Sequence, residues 1–455
     1  MLTIHEVCQA TQGDLTQGRN NLRINGVSID SRTIQKGNLF IAIKGDRLDG
    51  HKFINKAIKK GAKAVLVGKK MRLNANVAVI YVDDTTKALK QLAGYYRELF
   101  DIPIIAITGS AGKTSTKEIT ADVLARKYTV LRNKKSENNY IGVPLTLLAL
   151  RKKHKAAVVE IGTNQPGDIA SMAAIIRPTA ALFTNIGDSH LARLKNKAGV
   201  LKEKSTLINF LSEDGTIIFN NDDPYLRKIK RKQARQKIIT YGLKTPAVYR
   251  ASDVRWATDG KARFTVRKKS YILPAPADHF IYNALAAICC AELLGVGYNS
   301  VREALKASRA AVGRFEQKKM AGVTVIDDSY NANPVSMRSA VNALDKMACS
   351  GRKFLVCGDM LELGSKGKAL HQEIGRLAGK AAIDYILTYG KQAKYLSQSA
   401  QARTAKTVRH FTDQKRLGKY LKQAIVSGDV LLVKGSRGMR MEKIIQLLDG
   451  KGVKA

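Results

Sequence analysis

"IAITGSAGKTSTKE", Ile105–Glu118, passes from apolar residues into a glycine turn and then into helix formers. Strand, glycine turn, Lys, Thr, helix is the physical recipe for a triphosphate site. N–H groups of the turn and of the helix N-terminus face the phosphates. Here Gly109, Ser110, Ala111, Gly112 and Ser115 would form the cradle, with Lys113 as a point charge and the hydroxyl of Thr114 as a ligand for Mg²⁺. The spacing G-x-x-G-K-T is shorter than the common G-x-x-x-x-G-K-[ST], because Ile107 stands where the longer pattern has its first glycine. Alone, so short a match fits a plain strand–helix turn equally well; its place directly after an apolar strand favours a nucleotide.

Outward from the loop, "IPIIAITG", "AAVVEIG", "TAALFTNIG", "GTIIFNN" and "KIITYG" alternate with helix-like stretches such as "TSTKEITADVLARKY" and "VPLTLLALRKK". Buried β-rich runs separated by helices imply a mostly parallel sheet covered on both faces. A second set ("VTVIDDSYNANP", "KFLVCGDMLELG", "DYILTYG", "DVLLVKGSRG") implies a second α/β unit. "AAVGRFEQ", Ala310–Gln317, has the small residues and glycine of a boundary, and the segment before Asp83 is short-stranded and glycine-punctuated. The fold class is therefore α/β in three domains. These are a small N-terminal domain at 1–83, a central P-loop domain at 84–313 and a Rossmann-like C-terminal domain at 314–455.

Length agrees, since 455 residues exceed one ordinary core. No run of about 18 apolar residues appears, so no membrane span is expected, and no secretory signal is seen. Five scattered cysteines without metal-ligand spacing fit reduced thiols in a cytoplasm. The charge is unusual: 78 Lys and Arg against 37 Asp and Glu give a formal +41. Such a chain attracts anions of many kinds. Yet the excess is spread throughout, and its densest run, "RKIKRKQARQK" at Arg227–Lys237, has no aromatic residue to stack on a base. No nucleic-acid partner is expected.

Metal ligands are sought at the next strand ends, where open α/β sheets bind ligands. "VVEIGTNQPG" places Glu160 there and "TNIGDSHL" places His190. Either residue alone is more often a hydrogen-bonded structural one. Together, after a phosphate loop, they become candidates, although Mg²⁺ prefers oxygen to imidazole.

The chain resembles the Mur ligases, the ATP-dependent amide ligases of bacterial cell-wall synthesis. The likeness rests on "SIDSRTIQKGNLFIAIKGDRLDGHKFI", "ITGSAGKTST", "NNYIGVPLTLL", "VEIGTNQPGDIA", "TNIGDSHL", "VGRFE", "DDSYNANPVSM", "GDMLELG" and "LVKGSRGMRME", which cover essentially the whole chain. "DDSYNANP" with "GDMLELG" points to the branch that joins D-alanyl-D-alanine to UDP-N-acetylmuramoyl-tripeptide (UDP-MurNAc-tripeptide). The resemblance implies attack of a peptide carboxylate on the γ-phosphate of ATP, then attack of an amine on the acyl phosphate, with two Mg²⁺ ions. It gives Lys113, Glu160, His190 and Lys204 catalytic roles, with Thr114, Glu160, His190 and a carbamylated Lys204 holding metal. A lysine ammonium cannot ligate Mg²⁺, whereas its carbamate can; only the alignment selects Lys204 over Lys202.

By the same resemblance Asn283 lies near adenine, while Arg314 and Asp328 reach the nucleotide from the C-terminal domain. Asp327 and Asp328 are hard to separate by sequence. In "PAPADHFIYNALAAI", His279 and Asn283 match the family pattern, but Ala277 replaces a glycine and Phe280 an asparagine. Ser31, Arg32, Lys44, Asp49, Gly50 and His51 match the uridine-diphosphate segment. Asn138 and Asn139 are expected near the reacting carboxylate or the phosphate loop, and Ser329, Tyr330, Asn331 and Asn333 on the side that receives D-alanyl-D-alanine. "HLARLKNKAG" lacks the acidic residue often found after "HL" in this branch. A monomer is expected. Two other readings stand beside this one: a superfamily member adding a single amino acid or glutamate, and a phosphate-loop ATPase that binds nucleic acid through its basic surface.

Overall fold

The computed structural model describes residues 2–45, 48–231, 236–256, 261–274, 277–401 and 407–449. Part of the basic run, 232–235, lies outside the described residues. The apolar stretch that opens the phosphate motif is the strand Ile104–Thr108, and all five of its residues are buried. It sits inside a nine-stranded sheet. Its parallel neighbours are Ala156–Glu160 on one side and Ala180–Phe183 on the other. Val130–Arg132 lies beyond the first, and Thr216–Asn220, Lys237–Gly242 and Tyr249–Trp256 lie beyond the second. The chain thus runs outward from Ile104–Thr108 in both directions, which makes its carboxyl end a topological switch point where a crevice opens. An antiparallel pair, Lys261–Val266 and Lys269–Pro274, closes the far edge of the sheet. Its alternating burial is that of a half-covered hairpin, unlike the continuous apolar runs of the parallel strands.

The N-terminal part holds a five-stranded sheet ordered Asp14–Gln17, Ala78–Tyr81, Ala64–Val67, Leu39–Ile41, Val27–Ser28; only Asp14–Gln17 runs antiparallel. Helix Thr85–Glu98 packs both on helix Ile4–Thr11 and on helices of the central unit, so one hydrophobic core runs from Leu2 and Ile4 through to Ile104, Ala106 and Phe183. The C-terminal part is a six-stranded sheet ordered Glu316–Met320, Val323–Asp328, Val430–Lys434, Lys353–Gly358, Tyr385–Tyr389, Thr407–Phe411, parallel except for the first strand. The last strand, Val430–Lys434, returns to lie between Val323–Asp328 and Lys353–Gly358, and the carboxyl ends of Val323–Asp328 and Val430–Lys434 contribute Asp328 and Lys434 to the same cleft as the phosphate loop. Among the described residues no helix is long and apolar enough to cross a membrane.

Candidate active site

Glycines shape the phosphate loop for steric reasons. Gly109 has φ +152°, and a Cβ there would stand 1.9 Å from Thr184 Oγ1; Gly112 has φ +80° and caps helix Lys113–Leu124. The loop is braced from the neighbouring strand end. Asn185 Oδ1 accepts the Ala111 N–H at 2.9 Å, Asn185 O accepts the Ser110 N–H at 2.9 Å, and Thr184 Oγ1 donates to Ala111 O at 2.6 Å. Asn185 is a functional residue that sequence reasoning missed; its signal was the polar residue in "TNIG", at a strand end, in an otherwise apolar run. Lys113 Nζ donates to Gly109 O at 2.9 Å, and burial pulls its pKa below the usual lysine range.

Beside the loop, Glu160 is 1% exposed. Its Oε2 accepts from Thr114 Oγ1 at 2.8 Å and its Oε1 from Asn138 Nδ2 at 2.6 Å. It makes no ion pair among the described residues, so a buried carboxylate is held by neutral donors alone. Burying a carboxylate in that way is costly unless a cation shares the site. Thr114 and Glu160 together offer oxygen donors of the kind Mg²⁺ prefers, and one or two protein oxygens suffice when phosphates and water supply the rest. Lys204 is 1% exposed and lies outside the cleft lining. Burial first, then the Lys113 charge, depresses its pKa well below the ordinary lysine value, although Glu203 and Glu160 act in the opposite direction. Glu203 accepts the Gly167 and Ile169 N–H groups, each at 2.9 Å.

The C-terminal unit supplies the opposite wall. Arg314 lies 4.3 Å from the Tyr330 ring centroid, and its Nη2 donates to Ser136 Oγ at 3.3 Å in the central unit. Asn333 Nδ2 donates to Ser110 O at 2.9 Å, while its Oδ1 caps helix Pro334–Lys346. Asp328 pairs with Lys434 at 2.7 Å; burial pushes the carboxyl up and Lys434 opposes that. Asp327 turns inward to Ser329, whose hydroxyl and N–H it accepts, so Ser329 is buried away from the cleft. His190 has φ +53°, and its Nδ1 lies 2.7 Å from Glu362 Oε2 of the C-terminal unit.

Asn283 Oδ1 accepts from Thr116 Oγ1 at 3.0 Å, tying helix Asp278–Leu293 to helix Lys113–Leu124. Phe280 does not line the cleft. It packs with its centroid 4.3 Å from His279 and 5.8 Å from Phe315, so the side chain that replaces the family asparagine is a packing residue at the domain boundary. Burial holds His279 down to about 3. Burial would raise Asp222, but N–H groups of Leu243 and Thr245 and the Tyr282 hydroxyl bring it to about 2.

The cleft, of about 850 Å³, brings together Ser110 to Ser115, Asn138, Asn139, Glu160, His190, Asn283, Arg314, Asp328, Tyr330, Asn331 and Asn333. Asn139 Oδ1 also accepts the Ile141 and Gly142 N–H groups at 3.1 and 2.8 Å, in the turn that leads into helix Gly142–Leu148. The N-terminal candidates lie elsewhere. Lys44 and Asp49 form a β-bridge, and Gly50 approaches Ile43 so closely that a Cβ would meet Ile43 O at 2.7 Å. His51 Nε2 accepts the Gly68 N–H at 2.9 Å, so its Nδ1 is the protonated nitrogen and donates to Asp49 at 2.6 Å. Arg32 is exposed and chelates Asp30, while Ser31 is buried beside it.

Family models match in the same order along the chain: the Mur ligase family catalytic domain at 23–97, the Mur ligase middle domain at 107–291 and the Mur ligase glutamate ligase domain at 313–437. The UDP-N-acetylmuramoyl-tripeptide–D-alanyl-D-alanine ligase of Bacillus subtilis is 35% identical over 98% of this chain and 97% of its own. The UDP-N-acetylmuramoylalanyl-D-glutamyl-2,6-diaminopimelate–D-alanyl-D-alanyl ligase of Acinetobacter baumannii is 30% identical and superimposes with a TM-score of 0.86 over 99% of this chain and 98% of that one. MurF ligase from Thermotoga maritima in complex with ADP is 28% identical, with a TM-score of 0.83 over 94% and 97% of the two chains. This chain belongs to the Mur ligase family, in its MurF branch.

Proposed function

We propose that the protein is an ATP-dependent amide ligase that joins D-alanyl-D-alanine to UDP-MurNAc-tripeptide, giving UDP-MurNAc-pentapeptide, ADP and phosphate. The observation that carries the reading is the Thr114–Glu160–Asn138 set at the mouth of a glycine phosphate loop, faced by Arg314 from another domain. Lys113 and Arg314 offset phosphate charge from opposite walls. The tripeptide carboxylate attacks the γ-phosphorus and ADP leaves; the dipeptide amine then attacks the acyl carbon and phosphate leaves. Such chemistry chiefly needs charge stabilised and reactants aligned. Thr114 and Glu160 would hold one Mg²⁺, which screens phosphate charge when bound; His190 and a carbamate on Lys204 would hold the second. The depressed pKa of the buried Lys204 amine favours that carbamate, since the neutral amine is the form that reacts with carbon dioxide.

In this reading residues 1–83 hold the UDP end, 84–313 the ATP, and 314–455 the incoming dipeptide, in a cytoplasmic monomer. The test is phosphate release from ATP with each substrate omitted in turn, beside Lys113→Ala. Release that requires both substrates, with a pentapeptide product by mass, is the expected result. Release indifferent to both and stimulated by nucleic acid would overturn it in favour of an ATPase.

A further inference from the structure

The cleft is lined by seven cationic side chains: Lys113, Arg193, Lys244, Arg314, Lys346, Lys434 and Arg437. Three are paired with carboxylates, Lys346 with Asp278, Lys434 with Asp328 and Arg437 with Glu442. The other four make no ion pair among the described residues. Lys113 and Arg314 face the phosphate loop, and Lys244 follows Lys237–Gly242 on the base side, where its N–H is held by Asp222. ATP accounts for these three. Arg193 remains.

Arg193 stands apart from the base end. It follows Ala180–Phe183, and its Nη1 donates to Gln165 Oε1 in the loop that follows Ala156–Glu160. The pair therefore links the segments that follow the two strands flanking the phosphate-loop strand, and both residues line the same cleft as Glu160. The loop is stiff: Asp168 Oδ2 accepts the Asn164 and Gln165 N–H groups at 2.8 and 3.1 Å, and Glu203 accepts those of Gly167 and Ile169, each at 2.9 Å. An amide oxygen orients the guanidinium without cancelling its charge. Glu362, already engaged by His190, feels the Arg193 charge but forms no ion pair with it. Arg193 is exposed at the cleft, and a planar fork oriented in this way matches the geometry of a carboxylate.

We propose that Arg193 is a specificity residue that binds a second carboxylate of the peptide substrate, one that is not activated. This rests on the ligase reading above. The peptide can supply that group from its glutamyl residue or from a dicarboxylic third residue such as 2,6-diaminopimelate. Three substrates separate the sources: a 2,6-diaminopimelate tripeptide, its lysine counterpart, and the lysine form with the glutamyl carboxylate amidated. Each is assayed with the full-length wild type, Arg193→Ala and Arg193→Lys, reading kcat/KM. Loss of one charge-assisted bond lowers kcat/KM by about 10- to 100-fold. A loss in Arg193→Ala confined to the diaminopimelate substrate, partly restored in Arg193→Lys, assigns the third residue. A loss shared by the first two substrates and absent from the amidated one assigns the glutamyl carboxylate. An equal loss on all three, or none, overturns the proposal. No ligation by the wild type with any of them overturns the ligase reading, and this inference with it.

Discussion

Glu160→Gln separates a metal-holding carboxylate from a structural one. Both carboxylate oxygens accept, Oε2 from Thr114 and Oε1 from Asn138. An amide offers one acceptor, so one donor loses its partner; a hydrogen bond to a charged group contributes about 1.5–3 kcal/mol. Against that, the variant no longer buries a carboxylate, which relieves desolvation of a few kcal/mol. The two nearly cancel, and the expected change in unfolding free energy is within about 2 kcal/mol, a shift of several degrees at most in Tm. Activity has no such compensation. Removing one preorganised electrostatic contact of this kind costs about 10²–10³ in rate, and the Mg²⁺ concentration needed for half-maximal turnover rises. The assay is a thermal melt beside ligation rates across a Mg²⁺ titration. Turnover within about tenfold of wild type with an unchanged Mg²⁺ midpoint, in a variant that folds, would refute the argument that Glu160 holds the cation.

Three further outcomes follow from the geometry. Gly109→Ala puts a methyl 1.9 Å from Thr184 Oγ1 at φ +152°, so it should abolish ATP binding in a titration calorimeter and lower Tm. Asn333→Ala removes both the helix cap and the bond to Ser110 O, costing about 1–2 kcal/mol. Asn333→Asp keeps the cap, so it should melt near wild type while binding ATP more weakly; equal loss of stability in both variants would place the effect in the bond to Ser110 O and not in the cap. His279 is held at about 3 against an ordinary 6.5. Above pH 6.5 it is neutral in both states. As pH falls from 6.5 towards 3 the unfolded chain takes up a proton that the folded chain refuses. Stability should therefore drop, by about 1–2 kcal/mol at pH 5 after allowance for its partial exposure. His279→Gln should flatten that part of a pH–denaturation curve.

What was legible in the sequence was what depends on neighbours along the chain. Four consecutive apolar residues, Ile104 to Ile107, made Ile104–Thr108 readable as a doubly covered strand, and the glycine spacing after it made the loop readable as a phosphate cradle. Glu160 was legible because a strand end has a fixed place in a parallel sheet. What was not legible depends on contacts between distant segments. Asn185 reaches Ala111 across 74 positions, and nothing in "TNIG" says which backbone it braces. Asn333 was assigned to the dipeptide by resemblance, yet the structure uses both ends of its side chain, one on its own helix and one on the phosphate loop. Ser329 and Asp327 close on each other because the turn after Val323–Asp328 folds one side chain inward. The order of polar residues in "DDSYNANP" did not reveal which side would face the cleft.

The seam between the central and C-terminal units explains why the site needs both. Among the described residues its polar contacts include Asn333 to Ser110 O, Arg314 to Ser136, His190 to Glu362, the Ala192 N–H to Glu362 O and the Lys346–Asp278 ion pair. At about 0.5–1.5 kcal/mol each in net terms, they total only a few kcal/mol. The Arg314–Ser136 contact involves groups that a nucleotide would engage instead, since Arg314 makes no ion pair among the described residues and Ser136 touches Thr114 at 3.5 Å. A triphosphate seated between Lys113 and Arg314 replaces a weak neutral contact with charge-assisted ones on both walls. The orientation of the two units and the occupancy of the phosphate loop are then linked equilibria of comparable size. A ligand can bias the seam only by as much as it prefers one arrangement to the other. That preference resides in Arg314, which reaches the phosphate loop only when the C-terminal unit lies against it.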